Sequence, residues 1–136
     1  MRDDNCIFCK LANGIIPTNS IYEDDHFNVI LDMSPATRGH ALILPKDHYK
    51  NLYELPLDTA AEVMKLAKKM AVEMTEKLGA DGFNLVQNNN EVAGQTVFHF
   101  HMHLIPRYND DAQKIVWAPT SPTAEELAAI KDTLTK

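Results

Sequence analysis

The sequence predicts an α+β fold built on a largely antiparallel sheet, and three observations carry that prediction. Short, apolar, β-leaning runs recur at "FNVIL" (27–31), "HALILP" (40–45) and "FNLVQN" (83–88), bounded by turn-forming residues. The heptapeptide "FHFHMHL" (98–104) alternates apolar side chains with histidine, which is the period of a half-buried strand. The order of these runs and the helical segments leaves room for few βαβ crossovers, so most neighbouring strands run antiparallel.

Each element follows in order. "CIFCKLANGIIPTN" (6–19) reads as a short helical turn stopped by Gly14 and Pro17. The runs 27–31 and 40–45 are separated by "DMSPATRG" (32–39), whose Ser-Pro and Arg-Gly steps signal turns and make the pair a hairpin. From Asp58 to Leu78 the residues Ala61, Met64, Leu66, Ala67, Met70, Ala71, Met74 and Leu78 recur at helical spacing, with Gly79 as a stop, predicting one long helix. A strand over 83–88, the polar loop "NNEVAGQT" (89–96) and the histidine segment follow, and Pro106 is expected to close that segment. In the tail, Thr123 to Glu126 fits a capping box ahead of a helix carrying Leu127, Ile130 and Leu134 on one face. No repeat, low-complexity tract or linker interrupts the chain, so one domain over residues 1–136 is expected.

Composition narrows the partners. With 13 basic and 19 acidic residues the formal charge is −6, which opposes sequence-independent binding to a nucleic-acid polymer. A small phosphorylated molecule stays open, because imidazoles and backbone amides bind phosphate whatever the net charge. Apolar runs fall short of the roughly 18 to 20 residues that span a bilayer. The opening "MRDDNCIFCK" lacks a signal-peptide core. A cytoplasmic location with no membrane partner is expected. The two cysteines, Cys6 and Cys9, read in a reducing compartment as metal ligands or redox thiols. A thioredoxin-like reading wants a strand before the motif, and only five residues precede Cys6.

In a strand, residues two apart share a face at roughly 6.6 Å. His99, His101 and His103 are therefore expected on one side, with Phe98, Phe100, Met102 and Leu104 anchored in the core on the other. Three imidazoles in strict alternation argue against incidental surface histidines. Two chemistries fit: a metal site, or nucleophilic attack by a neutral imidazole on phosphorus.

At these residues the chain resembles the histidine triad (HIT) family. "HFHMHLI" (99–105) fits its pattern of three histidines alternating with hydrophobic residues, and "GQT" (94–96) lies just before it. Upstream, "IYEDDHFNVILDMSPATRGHALILPKDHYKNLYEL" (21–55) resembles the family's N-terminal half. The resemblance covers about residues 6–107 and leaves the tail, 108–136, outside. It implies a five-stranded antiparallel sheet with one long and one or two short helices. The implied activity is hydrolysis or transfer of a nucleotidyl group from a purine nucleoside phosphoramidate or a dinucleoside polyphosphate.

Roles follow from the same resemblance. His101 would attack the α-phosphorus and form a nucleotidyl-histidine, and His103 would hold the phosphate oxygens. Gln95 and Thr96 would touch the phosphate or leaving group. Asp32 would accept hydrogen bonds from the ribose, Asn88 would line the phosphate and ribose pocket, and Phe8, Ile30 and Met33 would wall the base pocket. A structural zinc would be held by Cys6, Cys9, His48 and His99, with no organic cofactor. A homodimer is implied, paired through the long helix and an edge strand, with Met64, Met70 and Met74 available to the interface and Trp117 near the partner's site. His26, His40, Lys46 and Arg107 are given no role. Two other functions remain in view: a nucleotide-binding regulatory module, and a zinc hydrolase using the triad itself as ligands.

Overall fold

The structure is a computed structural model and describes all of residues 1–136. Its strands are β1 (Ser20–Glu23), β2 (Phe27–Leu31), β3 (Ala41–Pro45), β4 (Gly82–Val86) and β5 (Met102–Arg107). Its helices are α1 (Ile7–Ala12), α2 (Leu57–Leu78) and α3 (Ala124–Thr135). The five strands form one antiparallel sheet in the order β1-β2-β3-β5-β4, so the expected α+β architecture is present with one long and two shorter helices.

The central strands explain why "FNVIL" and "ALILP" are almost unbroken apolar runs: they are covered on both faces. Val29, Ala41 and Ile43 pack with Phe100, Met102 and Leu104 against Val63, Leu66, Ala67, Met70 and Met74 of α2. On the other face Ile30, Leu42 and Leu44 pack with Ala12 of α1, and Phe8 and Leu11 join them. Gly79, left-handed at φ 68°, ends α2. The buried stripe begins at Val63, while Ala61 and Met64 face outward. Met70 and Met74 belong to the core instead of an outer face.

One strand lies outside the apolar runs of the sequence, and two local expectations change. Strand β1 has no apolar alternation; it is a short edge with only Tyr22 partly covered, and its pairing shifts register between Ser20 and Tyr22. The histidine strand begins at Met102, not Phe98, because residues 98–101 leave the ladder and the Phe100 N–H donates to the Tyr49 carbonyl at 2.6 Å. Phe98 consequently sits 41% exposed beneath the Lys50 ammonium instead of in the core. Pro106 lies inside β5, opposite Phe83, and does not close it. The ladder to β3 has ended at Leu104, so a residue without an N–H interrupts nothing on that side.

Arg107 anchors the start of the tail through Asp111, at 2.8 and 3.0 Å, and through Asn84 and the Gln113 carbonyl. Beyond it, α3 has the expected Thr123–Glu126 capping box, and its Leu127, Ile130 and Leu134 are all exposed, as is Trp117. No helix is long and apolar enough to cross a membrane.

Candidate active site and metal cage

The first half of the site is a cage of sulfur and nitrogen. Cys6 caps α1: its Sγ accepts from the Cys9 N–H at 3.3 Å, which sets both sulfurs within the first turn. The sulfurs of Cys6 and Cys9 each lie 3.4 Å from Nδ1 of His99, and that of Cys9 lies 3.5 Å from Nδ1 of His48. All four donor atoms fall within 4.8 Å of one another. His99 is wholly buried and its Nε2–H donates to the Pro45 carbonyl at 2.8 Å, which leaves Nδ1 as a bare lone pair aimed at the sulfurs. Burial lowers the His99 pKa to about 4, favouring the neutral, ligating form, and pushes the Cys9 thiol up to about 11. One buried and one half-buried sulfur beside two imidazoles suit a divalent cation that stabilises the thiolates. The donor set therefore fits zinc, with four protein ligands and no open position.

The second half is a chain of imidazoles whose protons are fixed by their neighbours. His101 places Nδ1 2.8 Å from the His99 carbonyl. A carbonyl only accepts, so Nδ1 carries the proton and Nε2 is bare. At the other end, the Ala36 N–H donates to Nδ1 of His40 at 2.9 Å. Neutral His40 then carries its proton on Nε2, which lies 2.9 Å from Nδ1 of His103. That nitrogen accepts, so His103 presents Nε2–H. Neither Nε2, of His101 or of His103, has a protein partner, and no buried side-chain nitrogen or oxygen lacks one; both atoms reach solvent.

Burial is the leading cause that lowers the pKa of His40 and His101, and it lowers that of His103 to about 4, with His101 and His40 adding to the effect. Asp32, whose Oδ2 lies 3.5 Å from Nε2 of His40, opposes the shift at all three. The rings are thus neutral near pH 7, as the proton assignment requires. Asp32, His40 and His103 also converge, but in these tautomers the His40 nitrogen that faces His103 carries a proton and has no lone pair for a cation. The triad does not act as a single metal site, because His99 faces the cage while His101 is held by a carbonyl.

The other anticipated residues divide. Asp32 accepts from the Ser34 N–H through Oδ1, serving its turn as well as facing His40. Phe8 sets its ring perpendicular to His101 at 4.9 Å, and Ile30 is buried in the cluster below it. Met33 is 93% exposed and walls no packed pocket. The Asn88 side chain lies over Gly94, where φ is 104° and a Cβ would come within 3.3 Å of the amide nitrogen. Gln95 is buried with its amide fully engaged, accepting from the Asn90 N–H and donating to the Lys50 and Val97 carbonyls. It shapes the loop and is not free to meet a phosphate. Thr96 borders a cavity of about 660 Å³ that Cys6, His48 and Lys50 also line. His101 is buried but for 9% of its surface, and His103 is half-buried.

Residues 13–110 match the HIT domain family. The chain belongs to the HIT family. It is 48% identical over 110 residues to an uncharacterized HIT-like protein of Methanocaldococcus jannaschii, covering 81% of this chain and 84% of the relative. To an adenosine 5'-monophosphoramidase of Schizosaccharomyces pombe it is 36% identical over 127 residues, covering 93% and 92%. Among solved structures, a HIT family protein from Bacillus anthracis matches with TM-score 0.88 and 42% identity, over 96% of this chain and 95% of that one. A Zn-bound histidine triad family protein from Mycobacterium smegmatis matches with TM-score 0.77 and 36% identity, over 95% and 97%.

Sequence reasoning missed one member of this HIT site, His40. Leu42 pairs with His103 across the β3–β5 ladder, and His40, two residues earlier, shares the face of Leu42 and becomes the diagonal neighbour of His103. Gly39 before it has φ 89°, and any side chain there would run into Leu78 at the end of α2. A glycine followed by histidine at the mouth of an apolar strand was the available signal.

Proposed function

We propose that the protein is a nucleotidyl hydrolase or transferase acting at the α-phosphorus of a purine nucleoside phosphoramidate or a dinucleoside polyphosphate. The observation that carries this reading is the opposed pair of tautomers: bare Nε2 on His101 beside Nε2–H on His103, with ring centres 5.1 Å apart. Nε2 of His101 forms a bond to phosphorus as the bond to the amine or phosphate leaving group breaks. The Nε2–H of His103 steadies charge on the phosphate oxygens as a hydrogen-bond donor and keeps its proton, and the leaving amine takes its proton from water. Water then adds to phosphorus and releases its proton to the solvent, the N–P bond breaks, and His101 recovers its lone pair while its Nδ1–H stays on the His99 carbonyl. Asp32 and Asn88 are assigned to the ribose and phosphate, Thr96 to the leaving-group side, and Phe8 and Ile30 to the base. The relative named an adenosine 5'-monophosphoramidase supports this substrate class.

In the same reading Cys6, Cys9, His48 and His99 hold zinc. The closed ligand set makes it a structural cross-link between the N-terminus and the triad segment. The unpaired edge of β4 and the exposed Met64 and Val72 of α2 support pairing of two copies. The test is incubation with an adenylyl phosphoramidate, followed by mass measurement without acid. An adenylate adduct on His101 is expected; turnover at the parent rate by His101→Ala would remove the assignment.

A further inference from the structure

Phe8 stands between Cys6 and Cys9 in the first turn of a six-residue helix. A helix this short does not hold itself together in water; its place is set by Ala12, Phe8 and Leu11 against the sheet and by its two sulfurs at the cage. The Phe8 ring meets His101 edge-to-face at 4.9 Å and 90°, and His99 at 6.1 Å and 77°. A second path runs through His99 itself. Its ring points Nδ1 into the cage while its carbonyl accepts the Nδ1–H of His101 at 2.8 Å. The cage is also reachable, because Cys6 and His48 line the 660 Å³ cavity bordered by Thr96, Val97 and Phe98.

We propose that Phe8 is a positioning residue for His101, and that through it and the His99 carbonyl the occupancy of the cage sets the nucleophile's placement and the affinity for a nucleoside monophosphate. This rests on the nucleotide reading above. With the cage filled, Cys6 and Cys9, on either side of Phe8 in the first turn of α1, share one partner, and the ring is kept against His101. With the cage empty, Cys6 and Cys9 lose their common partner, the turn rotates more freely, and both Phe8 and the His99 peptide gain freedom. Because coupling between two binding sites is reciprocal, a nucleotide that needs Phe8 in place must in turn hold the metal.

The experiment compares the zinc-loaded protein with its chelator-stripped form. AMP binding by calorimetry is expected to weaken about tenfold on stripping, and saturating AMP is expected to tighten zinc retention against a competing chelator by the same factor. In Phe8→Ala, which keeps all four ligands, zinc stoichiometry stays at one while AMP, at concentrations that saturate each protein, alters zinc retention less than in the parent, only the His99 path remaining, and kcat falls more than KM rises; Phe8→Tyr restores the coupling. The ring resonances of His101 should move on zinc removal in the parent and much less in Phe8→Ala. Equal AMP affinity with and without zinc overturns the coupling and leaves the nucleotide reading intact. Failure of the zinc-loaded protein to bind AMP overturns both. Should the stripped protein unfold, the zinc-loaded Phe8→Ala decides: AMP-dependent zinc retention equal to the parent's overturns the proposal.

Discussion

His99 and His103 stand four residues apart at the two ends of one run, yet their surroundings differ in kind. Around His99 both ring nitrogens are committed to the protein, one to the Pro45 carbonyl and one to the cysteine sulfurs, and the ring is sealed from solvent. Around His103 one nitrogen is held by His40 and the other is left open. His101, between them, is fixed by the peptide of the first and stands beside the ring of the second. Along the run the partner of each second nitrogen decides whether the ring turns a lone pair to the sulfurs, a lone pair to solvent or an N–H to solvent.

The largest way to break this contrast is at its centre. His101→Ala is expected to lower turnover of an adenylyl phosphoramidate by at least about a thousandfold, with zinc content unchanged because its cage neighbours are intact. Next comes the open end. His40→Ala removes the donor that fixes the His103 tautomer, and kcat should fall by about one to two orders of magnitude with little change in KM; steady-state kinetics across both variants checks this. The closed end should answer differently. Cys6→Ser is expected to drop zinc below one per chain and the melting temperature by on the order of 10 °C, read by metal analysis and calorimetry. Unchanged zinc stoichiometry would contradict the ligand assignment.

The smallest effect is a pH dependence at the open end. His103 titrates at about 4 in the folded chain and near 6.5 when unfolded, so the unfolded state binds more protons between these values. Its contribution to stability is complete above about pH 6.5 and is lost as the pH falls towards 4. The causes are burial and the facing His101 and His40, opposed by Asp32. His103→Gln should show a shallower loss of stability over that window, measured by denaturant unfolding with zinc present in both proteins.

The two ends were also unequally legible in the sequence. At the cage the two cysteines of one helical turn and the histidine run are local signals, but the set of four, with His48 and His99 as the partners of the cysteines, came from the family resemblance. The long helix and the central strands were visible because their apolar periods are strong; β1 was not, because an edge strand with one partly covered residue has no period to read. His40 escaped because its function is created by register, through the pairing of Leu42 with His103. For Gln95 the resemblance implies a phosphate contact, and it does not reveal the three hydrogen bonds that the side chain makes to that loop's own backbone and to Lys50. The strand was overextended at Phe98 because alternation continues through residues whose backbone has already left the ladder.

The most direct test is the position of the protons themselves. Long-range proton–nitrogen NMR on the zinc-loaded protein, with ¹⁵N in the histidine rings, is expected to show His101 protonated at Nδ1, His103 protonated at Nε2, and His99 protonated at Nε2. A His101 ring carrying its proton on Nε2 at neutral pH would have no lone pair to offer phosphorus, and the division of labour along the run would be wrong.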